Sequence, residues 1–174
     1  MKSIPVLLSI FVLVCGPIWG SDATDGRRFV IEAYKRSDAA SVRKDSQTLL
    51  SLLAPDYKGE FNDRTVTKAG MSRNMKLMFS IAKTIRIKTT IKTLSYQEGK
   101  ITVLAQEYAS LQGTHPRTHK PLSLVTDSTF QDVWRKTGSH WLKQHTLTLR
   151  VKSKLNGKPV DPWGNNKPTV LTAT

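Results

Sequence analysis

The sequence predicts an α+β domain in which three N-terminal helices pack on one face of a strongly curved antiparallel sheet. Two observations carry this. Apolar residues recur with helical spacing up to Ala82 and with a period of two from Thr84 onward. The alternating runs are also joined by short Gly-containing turns, which make neighbouring strands antiparallel.

The first helix follows cap residues at Asp22–Asp25 and carries Phe29, Val30, Ala33 and Tyr34 as one stripe. A short second helix, capped by Asp45 or Ser46, carries Leu49, Leu50, Leu52 and Leu53 and is stopped by Pro55. Thr67 caps a third, whose Met71, Met75, Met78, Phe79 and Ala82 form the clearest helical pattern in the chain. Ile85, Ile87, Thr89 and Ile91 then alternate with Arg86, Lys88, Thr90 and Lys92, as a half-buried strand requires. The turn Gln97-Glu98-Gly99 leads to a strand starting Ile101, Val103, Ala105. After a loop with two prolines, Leu122–Lys136 and Trp141–Lys152 form two long strands joined through Thr137-Gly138-Ser139. Residues 155–174 are expected as a loose tail.

Composition bounds the function classes. An apolar share of 39% and a charged share of 23% belong to a globular chain, and 174 residues suit one domain. Residues 1–20 read as a signal peptide: Lys2, an apolar run over Ile4–Val14, the breakers Gly16-Pro17, then Gly20 before Ser21. The run is too short to span a bilayer comfortably, which takes ~20 residues. Export into a bacterial periplasm or medium, with residues 21–154 as the folded domain, is the expectation; an uncleaved membrane anchor is the lesser one. Cys15 is the only cysteine, so the exported domain has no disulfide and relies on its core. Net charge is +14, one unit less without Lys2, a property that concerns partners and solubility rather than fold.

The helix order, the stretch Leu52-Leu53-Ala54-Pro55-Asp56-Tyr57, the Thr67-Lys68 helix start, and above all Asp132-Val133-Trp134 with Gly138 and Trp141-Leu142-Lys143 resemble the NTF2-like (SnoaL-like) superfamily over about residues 26–151. The resemblance implies a cone: a bent sheet wrapping a helix, with a pocket at the open end. It does not imply one function, since members include isomerases, cyclases, dehydratases, hydrolases and non-catalytic modules. The steroid isomerases of the superfamily use a Tyr on the first helix, which Tyr34 matches, a carboxylate near Glu60–Asp63, and an acid between Asp127 and Asp132.

Alternation itself selects three candidate acid/base residues. Counting by twos from Ile101 puts Glu107 on the apolar face. Asp132 shares the face of Phe130 and Trp134, and His145 that of Trp141, Leu147 and Leu149. A carboxylate beside a histidine can be tuned near neutral pH. Lys143 falls on the same face as His145, which signals a register slip. Tyr34, Tyr57, Met75, Phe79, Trp134 and Trp141 are the expected ligand-binding lining. His115 and His119 are separated by Pro116 and do not align on a helix, so no metal site is expected; no phosphate loop or zinc spacing occurs, and no cofactor is expected. Arg86, Lys88 and Lys92 line one strand's outer side, and Arg150, Lys152, Lys154 and Lys158 cluster near the last strand's end. They suggest anionic envelope polymers or lipid headgroups as partners, with no nucleic acid, beside an unknown small molecule in the pocket and a homodimer through the sheet. The leading expectation is a non-catalytic pocket that binds a small apolar or amphipathic ligand; the rivals are an isomerase- or cyclase-type enzyme and an envelope-adhering module.

Overall fold

A computed structural model describes residues 20–61 and 64–161. The helices are α1 (Gly20–Val42), α2 (Ser46–Ser51) and α3 (Lys68–Ile81). The strands are β1 (Leu53–Phe61), β2 (Arg64–Thr67), β3 (Ala82–Gln97), β4 (Lys100–Thr114), β5 (Pro121–Thr137), β6 (His140–Leu155) and β7 (Lys158–Val160).

Two helix starts follow from capping. The Asp45 carboxylate accepts the Thr48 backbone N–H at 3.0 Å and the Thr48 hydroxyl at 2.6 Å, and the Thr67 hydroxyl oxygen accepts the Gly70 N–H at 3.3 Å. The three expected helices are present, but α3 does not adjoin α2: the hairpin β1–β2 lies between them. This hairpin had no counterpart in the sequence reading. Pro55, Gly59 and the charges of Lys58 and Glu60 break any apolar alternation there.

The sheet runs in the order β2-β1-β6-β5-β4-β3, with β7 added to β6. It is mixed rather than antiparallel, because β1 pairs β6 in parallel. Those two strands are joined through α3 and four further strands, so no hairpin constrains their direction. The turns are as expected: Glu98 and Gly99 take φ of 49° and 71°, and Gly138 takes 60°. Regular structure also continues past residue 154, since Asn156-Gly157 turns β6 into β7. Residues 1–19, which hold nearly all of the expected signal peptide, and residues 162–174 of the expected tail lie outside the described residues.

The main core forms where α1 crosses the inner face of the sheet. Val30, Ala33 and Tyr34 meet Leu52, Ile101, Val103, Ala105, Phe130, Trp134 and Trp141. The approach is close at Gly26, where an added Cβ would lie 2.6 Å from the Trp141 ring. Two smaller clusters close the ends: Ala82, Ile85, Leu111 and Leu122 in one, Ala40, Leu49 and Met75 in the other. Bulges interrupt the register at Ala82/Thr84 and Ile91/Thr93 in β3 and twice between β5 and β6. Such insertions bend a sheet and raise its twist, which here curves it around α1.

Candidate functional site

The register of β4, β5 and β6 sets the floor of the cone. Ile101, Val103, Ala105 and Glu107 pair with Trp134, Asp132, Phe130 and Ser128, so all eight side chains share one face. On β6, Lys143 pairs with Trp134, but Thr146 pairs with Asp132 and Thr148 with Phe130. One residue too many, Gln144, is accommodated in the bulge between these pairs. Before it, odd-numbered residues face inward; after it, even-numbered ones do as far as Thr148, beyond which the second bulge restores the odd-numbered set.

This bulge corrects the expected triad. His145 points away from the cone and pairs with Glu60 at 3.3 Å, Nε2 to carboxylate oxygen, on the outer face. Glu107 and Asp132 are inward as alternation required; Lys143, which the same counting put on that face, is inward too, and Thr146 rather than His145 stands opposite Asp132.

Asp132 has no solvent exposure and is fully engaged. Its carboxylate accepts the Tyr34 hydroxyl at 2.5 Å and the Thr146 hydroxyl at 2.5 Å, and the Lys143 ammonium lies 2.6 Å away. A buried carboxylate is tolerated on these terms: a paired charge and further donors on both oxygens. The Lys143 Nζ also sits over the rings of Tyr34 (5.1 Å), Trp134 (5.3 Å) and Phe130 (5.8 Å), within cation–π range. Burial opposes the charge on Lys143, but Asp132 beside it outweighs burial and holds the ammonium above its ordinary range. Burial, reinforced by the Asp132 charge, raises the Tyr34 phenol, so it stays a donor. Burial likewise raises Tyr57.

Glu107 differs from Asp132. Among the described residues, no hydrogen bond or ion pair engages it, and its remaining exposure is to the cavity. Burial pushes its carboxyl up to about 7; Lys143 pulls it down, and Asp38 and Asp132 push it further up. Asp38 is itself occupied, accepting the Thr89 N–H at 2.8 Å and the Thr89 hydroxyl at 2.7 Å.

Two cavities meet at this point. One, of about 430 Å³, runs toward the β1–β2 hairpin past Gly59, Val66, Phe130 and Thr148. The other, of about 230 Å³, runs beneath α1 and α3 past Ser37, Leu49, Met75 and Met78. Tyr57, Met71, Glu107 and Lys143 line both, so the two are one space with a waist. Of the expected lining, Tyr34, Tyr57, Met75 and Trp134 border this space, whereas Phe79 and Trp141 do not: both pack into core clusters. Lys143, Met71 and Thr146 were not among the expected site residues. Lys143 carried a signal all the same, a charge on a face otherwise read as apolar.

This is a cone-shaped domain with a partly apolar cavity and a polar floor, the architecture that solved structures of the NTF2-like fold display. The chain resembles a conserved protein from Planctomyces limnophilus (13% identity, TM-score 0.62, 79% of this chain and 99% of that one). It also resembles a hexachlorocyclohexane dehydrochlorinase, LinA type 2 (10%, 0.62, 84% and 97%). A third match is a provisionally assigned scytalone dehydratase from Novosphingobium aromaticivorans (11%, 0.64, 83% and 97%). At these identities the likeness is one of fold, and the fold is NTF2-like. No protein-family profile and no curated protein matches the sequence.

Proposed function

We propose that this protein is exported and that its cone takes up a small amphipathic molecule. The apolar part would lie against Met71, Tyr57 and Phe130, and a polar group would meet Glu107 and Lys143 at the waist. The joined cavity carries this reading: its volume lies within the range of about 300–1,000 Å³ usual for small-molecule sites, with few polar groups converging on an apolar lining. The test uses the amphipathic aromatic probe anilinonaphthalene sulfonate. Saturable binding of one equivalent is expected, weakened at least ten-fold by Met71→Trp, which fills the waist. Binding that ignores Met71→Trp would place the probe elsewhere and sink the proposal.

The state of Glu107 supports a second reading, acid/base chemistry on the bound molecule of the isomerase or cyclase kind. A carboxyl that titrates near neutrality, unengaged and facing a cavity, is suited to take and return a proton. Two of the fold neighbours carry enzyme names, which fits this reading by analogy alone. Base-promoted ring opening of a benzisoxazole provides the check: the base takes the ring C–H proton as the N–O bond breaks. The rate should rise with pH through about 7 and vanish in Glu107→Gln. A rate the same in both proteins leaves binding as the function.

A further inference from the structure

We infer that the outer face of the sheet is a docking surface for an extended anionic polysaccharide. Two groups of cations far apart in sequence are brought into register there. Outward residues align across four strands in three rows: Arg86, Ser110, Val125, Lys154; then Lys88, Tyr108, Asp127, Lys152; then Thr90, Gln106, Thr129, Arg150. Neighbouring strands lie about 4.8 Å apart and same-face residues about 6.8 Å apart along a strand. The five cations therefore flank a strip on the order of 14 Å wide, with the exposed ring of Tyr108 within it. All five are exposed.

The charges on this face are not balanced in the way those on α1 are. On α1, Arg28 pairs with Asp25 at 3.0 Å and Lys35 with Glu32 at 2.7 Å. In the three rows the one acid, Asp127, is shared between Arg150 at 3.8 Å and the Gln106 amide at 3.1 Å. No ion pair among the described residues engages Arg86, Lys88, Lys152 or Lys154. Like charges gathered within about two screening lengths repel one another and raise the local positive potential. A solubilising surface gains nothing from such gathering, whereas a polyanion laid along the strip meets every cation at once. A second copy of this chain does not suit the face, because an isologous contact would set its cations against themselves. The flat Tyr108 ring adds an apolar platform for a sugar face, as aromatic side chains do where one side is apolar and the edge is wet.

The test measures binding of a fluorescent polygalacturonate at low and high salt. Tight binding at low salt, lost as salt rises, is expected. The double change Lys88→Gln, Lys152→Gln should weaken it about ten-fold or more. Arg28→Gln with Lys35→Gln, which removes the same charge from α1, should change it less than two-fold. Tyr108→Ala should weaken binding without altering its salt dependence. Equal losses from both double variants would reduce the effect to net charge and overturn the inference, as would absence of binding at low salt. Equal or tighter binding of single-stranded DNA or of anionic vesicles, indifferent to Tyr108, would overturn the polysaccharide assignment. Ligand uptake by the cone is measured separately and does not bear on this outcome.

Discussion

Asp132 and Glu107 stand on adjacent strands, yet their stability consequences are opposite. Removing the partner of a buried charge leaves it uncompensated, so Lys143→Met should cost about 3–5 kcal/mol in denaturant unfolding. Thr146→Val, which removes one of three donors to Asp132, should cost about 1 kcal/mol. Adding Asp132→Leu to Lys143→Met should recover much of the loss; failure to recover would mean that the ammonium acts on something other than Asp132. Glu107→Gln should do the reverse and stabilise. Its folded value lies above the ordinary 4.5, at about 7, so the folded state holds the proton more tightly. The contribution is present below about 4.5 and is lost as pH rises through about 7. The wild-type melting temperature should therefore fall over that window relative to the variant, and parallel curves would refute the assignment. Lys143 and Tyr34, both raised above their ordinary 10.5 and 10.0, contribute stability below those values that is lost as pH climbs further. At this scale, period-two counting placed Glu107 and Asp132 correctly because β4 and the inner half of β5 are regular. It placed His145 wrongly because no residue type marks Gln144 as the extra one.

Elements whose signals are local were legible. α2 and α3 start where Asp45 and Thr67 cap them, and the turns at Glu98-Gly99 and Gly138 follow from backbone conformations their residues favour. β1 and β2 were not legible, since β1 is held by pairing with β6, a partner more than 80 residues away. Its parallel direction has no local cause. Where β3 and β4 meet near α3, a tight contact sets a testable constraint. A Cβ on Gly113 would lie 2.0 Å from the Ile81 carbonyl oxygen, at the end of α3 and beside the Ala82/Thr84 bulge. The atom it would strike is backbone and cannot swing aside. Gly113→Ala should lower stability by about 2 kcal/mol or more, read as a fall in melting temperature; an unchanged midpoint would mean the bulge relaxes freely.

For the molecule as a whole, composition said most about circumstance and least about chemistry. The expectation of export rests on residues 1–20, and it predicts that mass spectrometry of the native protein finds a chain beginning at or near Ser21. Intact Met1 in the cytoplasmic fraction would overturn it, and a lipid on Cys15 would mean an anchored protein instead. Cleavage after Gly20 removes only the first residue of α1, leaving the stripe of Val30, Ala33 and Tyr34 in place. The net charge of +14 does not say where the cations gather. Two basic runs some sixty residues apart become one surface only through the pairing of β3 with β4, β4 with β5 and β5 with β6.

The bulge at Gln144 has an evolutionary corollary. Chemistry at the base of such a cone is usually pictured as changing by substitution, one side chain exchanged for another. A change in strand length is the other route, and here the bulge blunts it. Without Gln144, His145 would follow Lys143 directly and alternation would still turn it outward, so Thr146 would still meet Asp132. The surplus residue is slack: this strand can lose one codon at Gln144 and keep the same side chains on the floor. A one-residue gap at this point between proteins sharing the scaffold would therefore mark a difference in local twist, not in the polarity of the cone.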